Sequence, residues 1–252
     1  MSALSFIRDY GDISSEDSDS PCEEITSKKL KLPPPNLSKV STVLTEEHKD
    51  DPTLHAGRIR SFPHVRGNWA TFVYVKYPQE DAVLHLINKL KDLVLSVDKS
   101  CQICDNIHLS LSRTVVLQYH LITTFTTTLQ TALNNIDSFD LQFDAIELYS
   151  NDDNTRTFIA LKADHFSKRY LLRISKKVDE VLKEFKLQPF YKEPSFHSSI
   201  LWVNGNKKSN FEGILDQLNR ILAKEIENNL RAVLIDRVQC QIGNKYFQFS
   251  LS

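Results

Sequence analysis

The chain has 252 residues, 41% hydrophobic and 25% charged, a balance typical of a soluble globular protein with a sizeable core. The formal net charge of -1 excludes a polycation that binds nucleic acid through bulk charge, so any such contact requires a local basic patch. No apolar run approaches the ~18 residues that span a bilayer, and no secretory signal opens the chain, so we expect no membrane association.

Four cysteines, Cys22, Cys101, Cys104 and Cys240, are too few and too scattered for a disulfide scaffold. Cys101 and Cys104 form a single CxxC pair, and neither a second pair nor two well-spaced histidines complete a four-ligand zinc site. We therefore expect reduced cysteines, a reducing compartment, no bound metal and no cofactor.

Residues 1 to about 56 are predicted to be a disordered tail, because the stretch 12–24 is acidic, serine-rich and poor in apolar residues. It is followed by SKKLKLPPP (27–35), in which three lysines precede three prolines. This basic-proline segment is interpreted either as a nuclear-import signal or as a solvated linker stiffened by polyproline. Residues 57–252 are predicted to form one ordered domain.

Hydrophobic periodicity predicts alternating strands and helices from about residue 69 onward. In chain order the sequence predicts a strand at 69–76, a helix at 79–97, a strand at 107–112, a helix at 116–135, a hairpin of strands at 141–150 and 155–163, a helix at 167–185, a strand at 196–203, a helix capped by Ser209 that runs to about Asn228, and a final hairpin turning at Gly243 and Asn244. This mixture predicts an α+β fold.

The predicted elements repeat in the order helix, His-x-Ser strand, helix, strand, strand. The first copy spans about 79–163 and the second about 167–251. Such a duplication predicts two similar lobes related by a pseudo-two-fold axis, each with an antiparallel sheet flanked by helices. Each lobe would then present one strand to a shared central cleft.

Two short motifs, His108-Leu-Ser110 and His197-Ser-Ser199, occupy corresponding places in the two copies. Residues i and i+2 of a strand point the same way, so each motif directs an imidazole and a hydroxyl to the cleft and its central residue to the core. One such tripeptide carries little information, since most strand histidines are structural. Two copies at matching positions indicate a catalytic pair.

Two histidines and two serines suit the cleavage of RNA by its own 2′-hydroxyl. One neutral imidazole accepts the proton of the 2′-hydroxyl, and a protonated imidazole donates to the departing 5′-oxygen. The ordinary pKa of histidine, about 6.5, allows two copies to hold opposite protonation states near neutral pH. Serine hydroxyls can bind the phosphate oxygens where charge develops. No metal is required, because the nucleophile is already positioned within the substrate, and the expected product is a 2′,3′-cyclic phosphate.

At these motifs the sequence resembles the 2H phosphoesterase superfamily, defined by paired His-x-[Ser/Thr] motifs, and more closely the U6 small nuclear RNA phosphodiesterase family. The resemblance is carried by GRIRSFPHVRGNWATFVYV (57–75), HLSLSRTVVL (108–117), NTRTFIALK (154–162) and FYKEPSFHSSILW (190–202). It covers residues 57–203 well and the remainder by pattern only. The contexts RSFPHVRGNWAT and PSFHxS are specific to this family among two-histidine enzymes.

The resemblance implies a bilobed 2H phosphoesterase fold and a 3′-to-5′ exoribonuclease. Such an enzyme trims terminal uridines and adenosines from oligouridine-tailed U6 small nuclear RNA and leaves a 2′,3′-cyclic phosphate. By the same resemblance, His108 and His197 are catalytic, with His197 near the 2′-hydroxyl and His108 near the leaving oxygen. Ser110 and Ser199 are implied to hold the phosphate.

Further substrate-binding residues follow from the resemblance. Tyr191 occupies the place of a family tyrosine that packs on the terminal nucleobase, and Ser195 matches a position near the nucleotide phosphate. Asp152 lies in a turn that matches a segment beside the terminal base. Leu109, between His108 and Ser110, is also expected at the substrate site, although strand alternation directs its side chain to the core. A nuclear, monomeric enzyme is expected.

Two alternatives stay open from the residues alone. A 2H hydrolase of small or terminal cyclic phosphates could use the same residues, with water replacing the 2′-hydroxyl in the reverse reaction. A non-catalytic RNA-binding or scaffold protein could use the same cleft, but binding alone needs no matched acid and base.

Overall fold

The computed structural model describes residues 65–78 and 80–252, together with the single positions 51, 53, 62 and 63. Apart from positions 51 and 53, the predicted tail and its basic-proline segment lie outside the described residues. The elements in chain order are β1 (Asn68–Lys76), α1 (Asp81–Val97), β2 (Gln102–Ile103), β3 (His108–Ser110), β4 (Val115–Gln118), α2 (Ile122–Leu133), β5 (Phe139–Leu141), β6 (Phe143–Ser150), β7 (Arg156–Ala163), α3 (His165–Glu184), β8 (His197–Asn204), α4 (Lys208–Asn228), β9 (Val233–Ile235), β10 (Arg237–Ile242) and β11 (Lys245–Ser250). The predicted α+β class is confirmed.

The central feature is a nine-stranded sheet whose main path has the order β11-β10-β1-β3-β8-β7-β6, with antiparallel neighbours. β2 pairs with β8, and β4 pairs with β1. β3 and β8 meet in the middle, at the register pair of Leu109 and Ser198. The antiparallel sheets predicted for the two lobes are therefore half-sheets joined by hydrogen bonds at the two His-x-Ser strands.

The strand pairing supports the predicted duplication but moves its boundaries. β1 and β7 are each followed by a helix and then a His-x-Ser strand, with only the two-residue strand β2 inserted in the first copy, so each repeat begins one strand earlier than predicted. β6 of the first repeat and its counterpart β10 of the second each join the other half-sheet, because β6 pairs with β7 and β10 pairs with β1. The β6–β7 hairpin thus straddles the boundary between repeats. The equivalent strands β5 and β9 pair with each other in a separate two-stranded sheet.

The helices pack in two equivalent pairs, α1 with α4 and α2 with α3. Alternation along the central strands buries the side chains of one side, as at Val73, Val75 and Leu109 on the first half-sheet. On the outer strand of the second half-sheet, the Asn219 side chain of α4 accepts from the backbone N–H of Ile146 at 2.8 Å and donates to its carbonyl at 3.1 Å. This amide satisfies backbone groups that an edge strand would otherwise leave unpaired.

Two local predictions are wrong. The helix predicted over 116–135 begins only at Ile122, because residues Val115–Gln118 pair with β1 instead. Their β-branched valines favour that extended conformation. Ser209 does not cap α4, which begins at Lys208 and has no side-chain cap. A side-chain cap is present on α3, where the Asp164 carboxylate accepts from the backbone N–H of Ser167 at 2.8 Å.

Candidate active site

The two His-x-Ser motifs lie side by side at the centre of the sheet. The antiparallel register of β3 and β8 places His108 opposite Ser199, and Ser110 opposite His197. All four side chains line one cavity of about 510 Å³. The residues that the sequence predicted to meet between the two halves are therefore together, and each imidazole neighbours a hydroxyl of the other motif.

Each imidazole is anchored by the backbone two residues before it. His108 Nδ1 lies 2.9 Å from the carbonyl oxygen of Asn106, and His197 Nδ1 lies 2.6 Å from that of Ser195. A carbonyl oxygen only accepts, so each Nδ1 carries a hydrogen and donates it. This bond leaves the Nε2 atoms as the ring nitrogens available to exchange protons with a bound substrate.

His197 is supported from behind by Tyr149 of β6. The two rings are stacked, with centroids 3.7 Å apart and an interplanar angle of 11°. The Tyr149 hydroxyl donates to Glu147 at 2.8 Å and lies 2.7 Å from the Ser195 hydroxyl. The other carboxylate oxygen of Glu147 accepts from Lys162 at 2.5 Å. The network thus fixes both the ring plane of His197 and the residue whose carbonyl holds its Nδ1.

The charges around His197 act on its proton affinity in opposite directions. Burial lowers the pKa of His197, and His108 acts in the same direction, against the Ser195 carbonyl and Glu147, which raise it. The net direction is downward, so the imidazole is mostly neutral at pH 7. Although burial opposes it, hydrogen bonds from Lys162 and Tyr149 lower the pKa of Glu147, which keeps this carboxylate anionic.

A second cavity of about 430 Å³ adjoins the first and contains the other predicted binding residues, Tyr191, Ser195 and Asp152. His197 and both motif serines line the two cavities in common. Tyr191 is 41% exposed, which leaves surface for a stacking partner. The space beside the histidines is thus continuous with an aromatic platform.

An ion-paired cluster holds this platform. The Tyr191 hydroxyl donates to the Asp152 carboxylate at 3.1 Å, and burial followed by this bond raises the pKa of Tyr191. The Arg113 guanidinium lies 3.8 Å from the Tyr191 ring centroid and donates to Asp152 at 2.7 Å. Arg113 therefore contacts the ring directly and also fixes the carboxylate that orients its hydroxyl.

The prediction that Leu109 contacts substrate is wrong. Its side chain is fully buried, because strand alternation turns it to the core while His108 and Ser110 face the cavity. Ser198, at the centre of the second motif, is fully buried in the same way.

Leu109→Ala is therefore expected to cost about 2–5 kcal/mol of unfolding free energy, because it leaves a cavity in the core. Urea denaturation measures this loss, and Leu111→Ala, which truncates a second fully buried leucine just after the same strand, is the matched control. We expect no selective rise in KM for RNA in either variant. A Leu109→Ala protein of normal stability and weakened RNA binding would contradict the core assignment.

Sequence reasoning missed several residues of the site. Asn106 and Ser195 hold the two histidines from the same spacing, two residues before each, so the repeated spacing was an available signal for Asn106. Arg113 lies three residues after Ser110 of the first motif. Tyr149 and Glu147 carry no local signal, because they reach His197 only through the pairing of β6 with β7 and of β7 with β8.

The cysteines and the acidic residues form no further centre in the described part of the chain. Within residues 65–78 and 80–252 there is no group of three or more His, Cys, Asp or Glu side chains placed to hold a metal ion. Cys101, Cys104 and Cys240 are free thiols, and burial raises the pKa of Cys101 to about 11 and of Cys240 to about 12. None of the described helices is long and apolar enough to cross a membrane.

Comparison with known proteins gives consistent matches. The family model HVSL, described as an uncharacterised conserved protein, matches residues 30–250. U6 snRNA phosphodiesterase 1 of Drosophila melanogaster is 36% identical over 258 residues, 96% of this chain and 98% of that protein. The Homo sapiens protein of the same name is 38% identical over 210 residues, 82% of this chain and 79% of that protein.

A solved structure has the same fold at low sequence identity. Kluyveromyces marxianus Usb1 is similar with a TM-score of 0.53 and 13% identity, covering 73% of this chain and 98% of that one. Its complex with uridine monophosphate gives a TM-score of 0.52 over 73% of this chain and 99% of that one. At this identity the likeness shows the fold alone.

Proposed function

Because the chain belongs to the family of the U6 snRNA phosphodiesterases, we propose that it is a metal-independent 3′-to-5′ exoribonuclease. Its proposed substrate is the 3′ end of U6 snRNA, from which it removes terminal uridines and adenosines. The shortened RNA is left with a 2′,3′-cyclic phosphate. The bond is cleaved by transesterification, with the 2′-hydroxyl of the preceding nucleotide as the nucleophile.

One observation carries this proposal: two histidines with fixed tautomers share a cavity with two serine hydroxyls. The bonds of Nδ1 to backbone carbonyls support a role for both Nε2 atoms in proton transfer. The lowered pKa of His197 suits the general base that accepts the 2′-hydroxyl proton. His108 then donates to the departing 5′-oxygen, and Ser110 and Ser199 bind the phosphate oxygens.

The second cavity suits the terminal nucleotide, which lies on the 3′ side of the cleaved linkage. Tyr191 offers a ring on which a base can stack, and stacking is worth about 1–3 kcal/mol per base. Ser195 and Asp152 lie within reach of the same nucleotide because they line that cavity. Base–aromatic stacking tolerates every base, which agrees with the proposed removal of both uridine and adenosine.

We further propose that the enzyme acts as a monomer in the nucleus. One chain supplies both histidines and both serines, so the proposed chemistry needs no second copy. The nuclear location follows from the proposed substrate, a small nuclear RNA.

End-group analysis of a digested RNA tests the function. A synthetic RNA with an oligouridine tail is incubated with the enzyme, and product lengths and termini are read by mass spectrometry. We expect a ladder shortened from the 3′ end, with cyclic phosphate termini. Unchanged RNA after long incubation would contradict the function. Opening of a preformed cyclic end without shortening would instead indicate a cyclic phosphate hydrolase.

The pH profile tests the proposed role of Glu147. Its negative charge raises the pKa of His197, so Glu147→Gln should lower that pKa further. Because the general base acts when neutral, we expect the acidic limb of the kcat/KM profile to move to lower pH.

Glu180→Gln is the matched control, since Glu180 forms an exposed ion pair with Lys177 on α3. It should leave the acidic limb in place. An acidic limb that moves upward or stays unchanged in Glu147→Gln would remove the carboxylate from the control of His197.

A further inference from the structure

The half-sheet of β3, β1, β10 and β11 has one face that the proposed chemistry does not use. Side chains on its inner side, such as Val73, Val75, Val238 and Cys240, are fully buried in the core. The alternating side chains point the opposite way, as His108 does. This second side is called the open face, and it is formed by Phe72, Tyr74, Lys76, Arg237, Gln239 and Tyr246.

The open face is continuous with the candidate active site. Lys76 is the register partner of His108, and the rings of Phe72 and Tyr74 lie 5.7 and 5.4 Å from its imidazole. A cavity of about 530 Å³ extends from there and is lined by Lys76 and by Arg237 and Gln239 of β10. Asn106, whose backbone carbonyl accepts the hydrogen bond from His108, lines both this cavity and the cavity that contains the two histidines.

The charge of the open face suits a polyanion. The four strands of this half-sheet, NWATFVYVK, HLS, RVQCQI and KYFQFS, contain no aspartate or glutamate. The exposed side chains of Lys76 and Arg237 supply positive charge. Asp236, just before β10, lies 3.5 Å from Arg237, but both side chains are more than half exposed, so water and salt screen that pair.

The two half-sheets differ in the charge that surrounds the lysine beside each motif histidine. Lys76 and Lys162 are equivalent, because each is the register partner of the motif histidine in its half. Lys162 is neutralised by Glu147 at 2.5 Å. In the other half, the position equivalent to Glu147 is held by Gln239, a neutral amide. The lysine beside His108 thus lacks the acid that pairs with the lysine beside His197.

Aromatic side chains complete the surface. Phe72 is partly exposed and stacks on Tyr74, which is itself only 8% exposed, with centroids 4.9 Å apart and an interplanar angle of 25°. Tyr246, on the edge strand β11, is 68% exposed. Aromatic rings among basic side chains on an open sheet form a recurrent surface for single-stranded RNA, because bases stack on the rings and phosphates meet the cations.

We propose that the open face binds the RNA chain on the 5′ side of the cleaved linkage. This inference rests on the proposed function, since an exonuclease that removes the terminal nucleotide leaves all other nucleotides on that side. From β3 to β11 the face spans three interstrand steps, about 14 Å. Lys76 and Arg237 contact phosphates of this segment, and a base stacks on Tyr246.

Substrate length separates this surface from the catalytic centre. We compare Arg237→Gln and Tyr246→Ala, two and three strands away from His108, on a uridine dinucleotide and on a ten-residue oligouridine. On the decamer, Tyr246→Ala should lose about 5- to 100-fold in kcat/KM, the effect of removing one stacked base. Arg237→Gln should reduce the slope of log affinity against log salt by about 0.7, the value for one phosphate contact. Cleavage of the dinucleotide should not change.

Arg169→Gln and Phe166→Ala are the matched controls, because both side chains are exposed on α3, away from the open face. They should leave both substrates unaffected. Unchanged cleavage of the decamer by the open-face variants would overturn the proposal, and so would equal losses on both lengths. Decamer affinity is also measured in a His197→Ala background, where the open-face substitutions should weaken binding. If wild-type enzyme cleaves neither RNA, the proposed function fails, while this binding measurement still tests the surface.

Discussion

His108→Ala and His197→Ala should each lower kcat/KM on oligouridine-tailed RNA by about 10²- to 10⁴-fold, the usual contribution of one general acid or base. Each substitution removes one Nε2 from the shared cavity. Both side chains are only partly buried and lie on the cavity side of their strands, so neither truncation opens the core. Single-turnover cleavage with enzyme in excess measures the loss free of product release.

The double variant should lose little more than the worse single variant, because the two imidazoles act as one unit. His120→Ala is the matched control, since His120 is exposed and lies outside both site cavities. The wild-type enzyme should keep full activity in EDTA. Either alanine variant retaining cleavage within about tenfold of wild type would remove that histidine from the proposed proton transfer, and activity lost in EDTA would contradict the metal-free mechanism.

The local periodicity of the sequence predicted which side chains within most elements face the core and which face the cavity. The period of two on the strands placed His108 and Ser110 together and turned Leu109 to the core, as the structure confirms. The 3.6-residue period located α1 and α3 because their apolar stripes are wide and regular. At Val115–Gln118 two local preferences compete, since the apolar spacing favours a helix and the β-branched valines favour a strand. Pairing with β1 decides the outcome.

The parts that could not be predicted depend on pairing between distant strands. The β6–β7 hairpin crosses the boundary between repeats, so β6 belongs to the half-sheet of His197 although it ends the first repeat. Only that exchange brings Tyr149 against His197 and Glu147 against Lys162. The side chains that pack against His197 are therefore contributed by the other repeat. The residues that surround one motif of a duplicated site therefore cannot be identified from the sequence of its own repeat alone.

The chemistry also predicts which oxygen of the RNA is indispensable. If the 2′-hydroxyl of the nucleotide before the cleaved linkage is the nucleophile, a 2′-deoxy substitution there should block removal of the terminal nucleotide. The loss should be about 10⁵-fold or more, because a well-positioned intramolecular nucleophile has an effective concentration of that order in molar units.

Two otherwise identical RNAs make the comparison clean. One carries the 2′-deoxy nucleotide before the terminal linkage, and the other carries it at the terminal position, whose 2′-hydroxyl takes no part in the reaction. Quantitative gel analysis should show the first RNA intact and the second shortened at the rate of the all-ribose RNA. Normal shortening of the first RNA would mean that water attacks the phosphorus. His197 would then activate water, and the product would carry an open phosphate rather than a cyclic one. The site of substitution thus decides between transesterification and hydrolysis while protein, length and base sequence stay constant.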